Sequence, residues 1–275
     1  MDNSIRLLIS IEKFTFEEGD FSLKEIHFTV RSGEGIALLG VNGAGKTTLL
    51  KLIDGLYKNY QGEIRLDGRE IRTLKPREIY SKMGLLFQNP EEQLFAERVF
   101  EDVAFGPRNM GWREEKVREA VKRALLLVGL EGYDDKKIFN LSFGQKKRVA
   151  LAGLLAMGQE ILLLDEPTLG LDPIVERNFI ELLNNLKKEG KTIIVATHNV
   201  DLVPYFADRV VILSAGRLVL QGPTKEILTS LSKMTNYNLR PPLVSLPFYS
   251  VKNNLSEIPL TPEEAEILLN KLFLR

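Results

Sequence analysis

The sequence contains the stretch Gly40-Val41-Asn42-Gly43-Ala44-Gly45-Lys46-Thr47, which matches the spacing G-x-x-x-x-G-K-[ST] at every position. It lies between the apolar run 36–39 and a predicted apolar helix over 48–53. Glycines let the backbone wrap around an anion, and the N–H groups of the loop and of the helix N-terminus then face it. We therefore predict a phosphate-binding loop whose nucleotide-binding residues are Asn42, Gly43, Ala44, Gly45, Lys46, Thr47 and Thr48.

Two adjacent carboxylates follow a second apolar run, at residues 161–164. If that run is a parallel strand, Asp165 and Glu166 lie at the sheet edge where ligands bind, beside the loop. We expect Thr47 and Asp165 to hold Mg²⁺ and Glu166 to polarise an attacking water. The alternative, a strand end that carries surface acids, is weakened by the phosphate-binding motif upstream.

The composition excludes several classes of protein. The chain has 275 residues, 37 of them basic and 37 acidic, and this zero net charge argues against a nucleic-acid partner. It has no cysteine and two histidines, which excludes a disulfide scaffold, a thiol nucleophile and a Cys-ligated or His-rich metal site. The longest apolar run, 149–164, is interrupted by polar residues and glycines, so we expect no membrane span and no secretory signal.

The pattern of apolar residues changes along the chain. Alternation over the first 37 residues predicts strands, a helical period dominates from about 98 to 157, and strands and helices alternate after 161, with a helix expected near 200–206. Such alternation is typical of an α/β fold with a parallel sheet covered by helices. The region from about 90 to 157 is predicted to be a helical insertion.

A more specific indication of the protein class lies about twenty residues before the carboxylate pair. It is the run Leu141-Ser142-Phe143-Gly144-Gln145. It resembles the signature of ATP-binding cassette (ABC) ATPases. The other family motifs follow in order: Gln88 resembles the Q-loop glutamine, Asp172 lies in a D-loop-like segment, and His198 resembles the switch histidine. The resemblance covers residues 5–230. It implies a P-loop NTPase of the ABC type with an N-terminal antiparallel β-subdomain, a parallel-sheet core, a helical insertion and a C-terminal helical extension.

The same resemblance implies how the site works. ATP would be held between two copies, by the P-loop of one and by Ser142, Phe143, Gly144 and Gln145 of the other. Ser142 suits an N-cap, which would point the N–H groups of the following helix at an anion. Glu166, His198 and Gln88 would be catalytic, and Thr47, Gln88 and Asp165 would hold the metal. The partner is a second ATPase subunit, in a homodimer or a heterodimer.

The segments 87–96 and 99–107 narrow the resemblance to the ATPases of energy-coupling factor (ECF) transporters, which take up vitamins or cobalt and nickel ions. In that case the region from Gln88 to Phe105 contacts integral membrane subunits, and the chain is peripheral at the cytoplasmic face of the cell membrane. The apolar residues expected to form the contact are Leu94, Phe95, Val99 and Phe100. Alternatively, these residues pack within the helical insertion.

Two positions depart from the family pattern. Phe143 stands in the signature where glycine is usual. Whether the backbone at this position can approach a nucleotide closely is therefore an open question on sequence grounds. The aromatic residue that stacks on adenine is usually a tyrosine near the position of Glu18, and Phe16 is the nearest substitute.

Residues 231–275 differ in sequence pattern from the predicted ATPase domain, residues 1–230. A final helix is predicted to start at Thr261-Pro262, with Thr261 as N-cap and Glu264 completing a capping box. Its apolar stripe consists of Ala265, Leu268, Leu269 and Leu272. The stripe packs either on its own chain or on the tail of a second ATPase, and the resemblance favours the second.

Three other functions stay open on sequence grounds. The chain could serve a different importer, act as a soluble ABC protein of translation or DNA repair, or bind ATP without hydrolysing it. The second class usually carries two cassettes or a long coiled-coil insertion, which this sequence lacks. Glu166 and His198 argue against the third. The transported substrate is chosen by membrane subunits and is not encoded here.

Overall fold

The computed structural model describes residues 4–16, 21–254 and 257–273. Its strands are β1 (Ile5–Thr15), β2 (Ser22–Arg31), β3 (Gly35–Leu39), β4 (Gln61–Leu66), β5 (Arg69–Glu70), β6 (Met83–Leu86), β7 (Ile161–Asp165), β8 (Thr192–Thr197), β9 (Arg209–Ser214) and β10 (Arg217–Pro223). Its α-helices are α1 (Lys46–Ile53), α2 (Pro76–Tyr80), α3 (Val99–Asn109), α4 (Glu114–Leu127), α5 (Phe143–Met157), α6 (Pro173–Lys188), α7 (Thr224–Leu228), α8 (Leu231–Thr235) and α9 (Pro262–Phe273). The 3₁₀ segments are Ile71–Thr73, Pro90–Glu92, Ile138–Asn140, Val200–Tyr205 and Leu243–Asn254.

These strands form one mixed sheet in the order β5-β4-β1-β2-β10-β9-β3-β8-β7-β6. At one end β1 pairs antiparallel with β2 and β4. At the other end β3, β6, β7, β8 and β9 run parallel. The two regions join where Arg217 pairs with Lys24. The predicted antiparallel region and parallel core are therefore the two ends of a continuous sheet.

Strand β3 shows why the core is parallel and doubly covered. All five of its residues are buried. Ile36 and Leu38 belong to an apolar cluster with α1, whereas Ala37 and Leu39 belong to a second cluster with α3 to α6. Because side chains alternate between the two faces of a strand, each face of the sheet is packed against helices. This packing explains the uninterrupted apolar run in the sequence.

The helical insertion lies between β6 and β7. Helix α4 buries Val117, Val121, Ala124 and Leu125 on one face, and it is followed by Gly129, whose φ of +66° is the left-handed conformation common just after a helix end. The helix expected near 200–206 is instead the 3₁₀ segment Val200–Tyr205. Pro204 lies inside this short segment and cannot donate a backbone hydrogen bond, which disfavours a regular α-helix.

The C-terminal extension makes packing contacts within its own chain. Thr261 caps α9, with its hydroxyl 3.3 Å from the Glu264 N–H, whereas the Glu264 carboxylate accepts from the N–H of Leu260 rather than from that of Thr261. Ala265 and Leu268 pack in a small cluster with Phe248 and Ile258. Leu269 is exposed, and the side chain of Leu272 lies outside the described residues. The predicted stripe is thus divided between an internal contact and solvent.

Within residues 4–16, 21–254 and 257–273, no helix is both long enough and apolar enough to cross a bilayer.

Candidate nucleotide-binding site

An open cleft of about 540 Å³ lies at the carboxyl ends of the parallel strands. This volume is in the range of small-molecule sites. The cleft is lined by Phe16, Phe21, Asn42, Gly43, Ala44, Gly45, Lys46, Thr47, Thr48, Gln88, Asp165 and Glu166. The structure therefore brings the predicted phosphate-binding loop, the carboxylate pair, Gln88 and Phe16 into one site.

The loop leads directly into α1. Gly45 precedes the helix with a φ of +104°, and a Cβ atom there would lie 2.5 Å from Leu23 and 2.8 Å from Phe21. The backbone conformation thus favours glycine, and a larger residue would also have to displace the ends of the Leu23 and Phe21 side chains. Among the described residues no side chain caps the helix at Gly45, and its first residues, Lys46 and Thr47, line the cleft, so its first N–H groups are available to an anion.

Lys46 is buried at the base of the loop. Its Nζ donates to the carbonyl oxygen of Gly40 at 2.8 Å and lies 3.8 Å from Glu166 Oε1. Burial lowers the pKa of Lys46, and the Glu166 and Asp165 carboxylates oppose that effect. The ammonium is held where phosphate groups bound by the loop would meet it.

Thr47 and Asp165 form the second polar pair of the cleft. The Thr47 hydroxyl donates to Asp165 Oδ2 at 2.6 Å. Burial raises the pKa of Asp165, and the bond from Thr47 opposes that rise. Asp165 Oδ1 is buried and has no hydrogen-bond partner in the part of the chain that the structure describes. An unsatisfied carboxylate oxygen beside a hydroxyl matches the ligands that Mg²⁺ prefers.

Glu166 turns away from Asp165, towards β8. Its Oε1 lies 2.9 Å from His198 Nδ1, and its Oε2 accepts from the Thr197 hydroxyl at 3.2 Å. Glu166 and His198, both predicted to be catalytic, are therefore in direct contact. An ionised carboxylate has no proton to donate, so the His198 tautomer that fits this contact carries its proton on Nδ1. About half of the His198 side chain is exposed.

Two aromatic residues border the other side of the cleft. Phe16 packs edge-on against Phe14 and Tyr57, with ring centroids 5.0 and 5.6 Å apart. Phe21 also lines the cleft, and it was not predicted because it belongs to no motif. The signal for it was the hairpin: Thr15 pairs with Ser22, so the residues just beyond them, Phe16 and Phe21, are brought close together. The position of Glu18 lies outside the described residues.

The signature residues lie outside this cleft. Ser142 caps α5, with its hydroxyl 3.3 Å from the N–H of Gln145, while the Gln145 side chain accepts from the N–H of Ser142 at 3.0 Å. The ring of Phe143 lies against Gly170, where a Cβ atom would come within 3.2 Å of it. Asp172 caps α6 by accepting from the N–H groups of Ile174 and Val175. The α5 N-terminus is therefore ordered without the nucleotide site of its own chain.

A groove of about 590 Å³ lies beside Phe87, one residue from the cleft-lining Gln88. Leu56, Tyr80 and Phe105 are exposed along it, and Phe105 stacks edge-on with the exposed Phe95. Asp54 lies in its wall with Oδ1 buried and unpartnered among the described residues. Burial raises the pKa of Asp54 to about 8.

The groove differs in part from the predicted one. Val99 is fully buried, and Leu94 and Phe100 pack against the apolar cluster that contains α3 to α6. For these three residues the alternative of packing within the insertion is correct. Phe95 is the exposed member of the predicted set. Phe105, which contacts it, is the last residue of the region Gln88 to Phe105 that was predicted to contact membrane subunits.

Comparison with known proteins gives a consistent assignment. A family model described as ABC transporter matches residues 23–169. A Geobacter sulfurreducens protein, provisionally named as an ABC transporter ATP-binding protein, is 49% identical over 95% of both chains. The energy-coupling factor transporter ATP-binding protein EcfA of Methanocaldococcus jannaschii is 44% identical over 90% of this chain and 89% of its own.

Solved structures show the same relationship. CbiO1 of Clostridium perfringens, described as part of the ABC transporter complex CbiONQ, is 37% identical, with a TM-score of 0.74 over 91% of this chain and 99% of its own. A dimeric ATP-binding cassette with bound ADP and Pi is 26% identical, with a TM-score of 0.71 over 80% of this chain and 99% of its own. The cleft, its motif residues and these relatives together establish that the chain is an ATP-binding, ATP-hydrolysing member of the ABC transporter ATPase family.

Proposed function

We propose that the chain is the ATPase subunit of an ECF-type importer of a micronutrient, either a vitamin or a cobalt or nickel ion. The observation that carries this proposal is the exposed aromatic groove beside Phe87, which offers a membrane subunit a docking site one residue from the cleft-lining Gln88. The EcfA and CbiO1 relatives support it. In this arrangement the chain is peripheral at the cytoplasmic face of the cell membrane.

Glu166 is the proposed general base. Its carboxylate is fixed by Thr197 and His198 at the edge of the cleft, where it can accept a proton from a water aligned with the terminal phosphate. His198, whose side chain is half exposed, is proposed to contact that phosphate. Lys46 and the N–H groups of the loop bind and orient the phosphate chain.

Thr47 and Asp165 would hold Mg²⁺, with Gln88 at the edge of the cleft as the third predicted ligand. The unpartnered Asp165 Oδ1 is the structural feature that fits this role. When bound, the ion supplies neutralisation of the phosphate charge.

The proposed active form is a dimer with two ATP molecules between the subunits. Ser142, Phe143, Gly144 and Gln145 of one copy would complete the site of the other. The capped N-terminus of α5 supports this role, because its free N–H groups and dipole favour an anion.

The groove provides the test of the proposed function. We expect Phe105→Asp to weaken co-purification with the membrane subunits about tenfold or more, because it places a charge among apolar contact residues. Nucleotide binding, measured by fluorescence titration, should not change. Phe139→Asp is the matched control, since Phe139 is an exposed phenylalanine of the same helical insertion outside the groove. Equal co-purification of both variants would contradict groove docking.

The tail gives a separate prediction about association. Deleting residues 231–275 would also remove Met234 and Leu239 from the apolar cluster that contains α3 to α6, so a single substitution is the sharper test. We expect Leu269→Asp to reduce nucleotide-free dimerisation while ATP binding stays intact, because Leu269 is the exposed member of the α9 stripe. Light scattering without ATP measures the mass, and Asn270→Asp controls for added charge. A mass equal to that of the unmodified protein would show that α9 serves only its own chain.

A further inference from the structure

Glu166 has an unusual backbone for the residue that carries the proposed base. Its φ is +43°, in the left-handed region that residues other than glycine rarely adopt. Such a conformation persists where surrounding contacts hold it. The N–H of Glu166 donates to the carbonyl of Ala196 at 2.8 Å, which ties one side of the residue to β8.

Lys147 holds the other side. Its Nζ donates to the carbonyl oxygen of Glu166 at 2.6 Å and to that of Leu169 at 3.1 Å. The ammonium therefore clamps both ends of the turn that follows β7. Lys147 is fully buried and is not part of the cleft lining, so it reaches the site through the Glu166 backbone.

The burial of this cation is costly. Burial lowers the pKa of Lys147 to about 8, and the Glu166 and Asp165 carboxylates oppose that effect. A buried lysine is tolerated where its donors are satisfied, and the two carbonyl oxygens provide acceptors. An apolar residue of similar length would fill the same space without this cost, but it would leave the Glu166 carbonyl without its ammonium donor.

Lys147 also belongs to the helix that carries the signature segment. It lies one turn beyond Phe143 on α5, with Nζ 5.4 Å from the centre of the Phe143 ring. That ring lies against Gly170, at the end of the same turn that Lys147 clamps. One side chain thus joins the start of α5 to the backbone of the proposed base.

We propose that Lys147 is a positioning residue for ATP hydrolysis, which holds the Glu166 backbone so that its carboxylate meets Thr197 and His198. This inference rests on the proposed role of Glu166. In the proposed dimer, Ser142 of the same helix faces the ATP of the other subunit. Lys147 therefore links the binding of the partner's ATP by the start of α5 to the position of Glu166 at the ATP site of its own chain.

The first test is Lys147→Met in the full chain. We expect kcat for ATP hydrolysis to fall about 10- to 100-fold, the effect of misplacing a catalytic group by about 1 Å. The Kd for a fluorescent ATP analogue should stay within about twofold of its original value, because no cleft-lining residue is changed. Lys191→Met is the matched control, since Lys191 also donates to two carbonyl oxygens, those of Gly158 and Gln159. It should lower the melting temperature but not kcat. A folded Lys147→Met protein with unchanged kcat, or with equal losses of kcat and affinity, would overturn the proposal.

A double-mutant cycle separates positioning from a general loss of structure. If Lys147 acts through Glu166, adding Lys147→Met to Glu166→Gln should cause no further fall in the residual rate. Multiplied losses would overturn the proposal, whereas an unaffected rate in Glu166→Gln alone would instead remove Glu166 from the proposed function.

Lys147→Gln, whose side chain is one bond shorter and keeps a polar donor, covers the case in which the methionine variant does not fold. We expect it to lose kcat as well, and an unchanged kcat in that variant would overturn the proposal.

Discussion

Replacing Glu166 with glutamine is expected to lower the rate of ATP hydrolysis roughly 10²- to 10⁴-fold, the usual contribution of a general base. Glutamine has the same shape and can keep hydrogen bonds to Thr197 and His198, so the cleft should stay intact. It cannot accept a proton from water at neutral pH. ATP affinity should therefore be retained, and steady-state kinetics together with nucleotide titration measure the two effects separately.

Glu160→Gln is the control for this variant. Glu160 lies just before β7, at the opposite end of the strand that leads to Glu166, and pairs with Arg6 at 2.6 Å. Its loss removes a carboxylate next to the same strand without changing a residue that lines the cleft. If Glu166→Gln and Glu160→Gln hydrolyse ATP equally fast, Glu166 does not have the proposed role.

The second large effect concerns the signature segment. In the Glu166→Gln background, excess ATP should accumulate a dimer, because bound nucleotide is no longer consumed. Adding Ser142→Arg should abolish that dimer, since Ser142 is exposed at the N-terminus of α5 and a large side chain there would separate the helix from the partner's nucleotide. Sizing by light scattering with and without ATP measures this.

Loss of the helix cap must be distinguished from loss of the contact. Ser142→Arg removes a cap, which costs about 1 kcal/mol. Ser142→Asp keeps a capping oxygen but places a negative charge where phosphate would lie, so it too should prevent the dimer. Ser232→Arg, at an exposed position on α8, controls for added bulk and charge. A dimer present equally with and without ATP would place association elsewhere, with α9 as the next candidate.

The phosphate end of the cleft was predictable because its residues follow the ends of adjacent parallel strands. Thr47 follows β3, Asp165 ends β7, and His198 follows β8, which lies between those two strands in the sheet. The carboxyl ends of parallel strands meet at one edge, so strand assignment and motif spacing were sufficient to place these side chains together.

The surfaces were less predictable because apolar residues look alike in sequence. Val99 and Phe95 were assigned to the same groove, yet Val99 is fully buried and Phe95 is 64% exposed. Leu268 and Leu269 are neighbours in one stripe, but only Leu268 joins the α9 cluster. Which of two apolar residues is covered depends on segments distant in the chain, and local periodicity does not contain that information.

The fold class, the phosphate-binding loop, the carboxylate pair and the order of the family motifs could be predicted from residue spacing and local backbone preferences. The left-handed backbone of Glu166 and the burial of Lys147 could not, because they depend on tertiary contacts. A lysine on a helix is expected at the surface. Here it is buried because carbonyl groups about twenty residues further along the chain fold over it and accept its hydrogen bonds. A charged side chain becomes an internal support only when long-range packing supplies its partners.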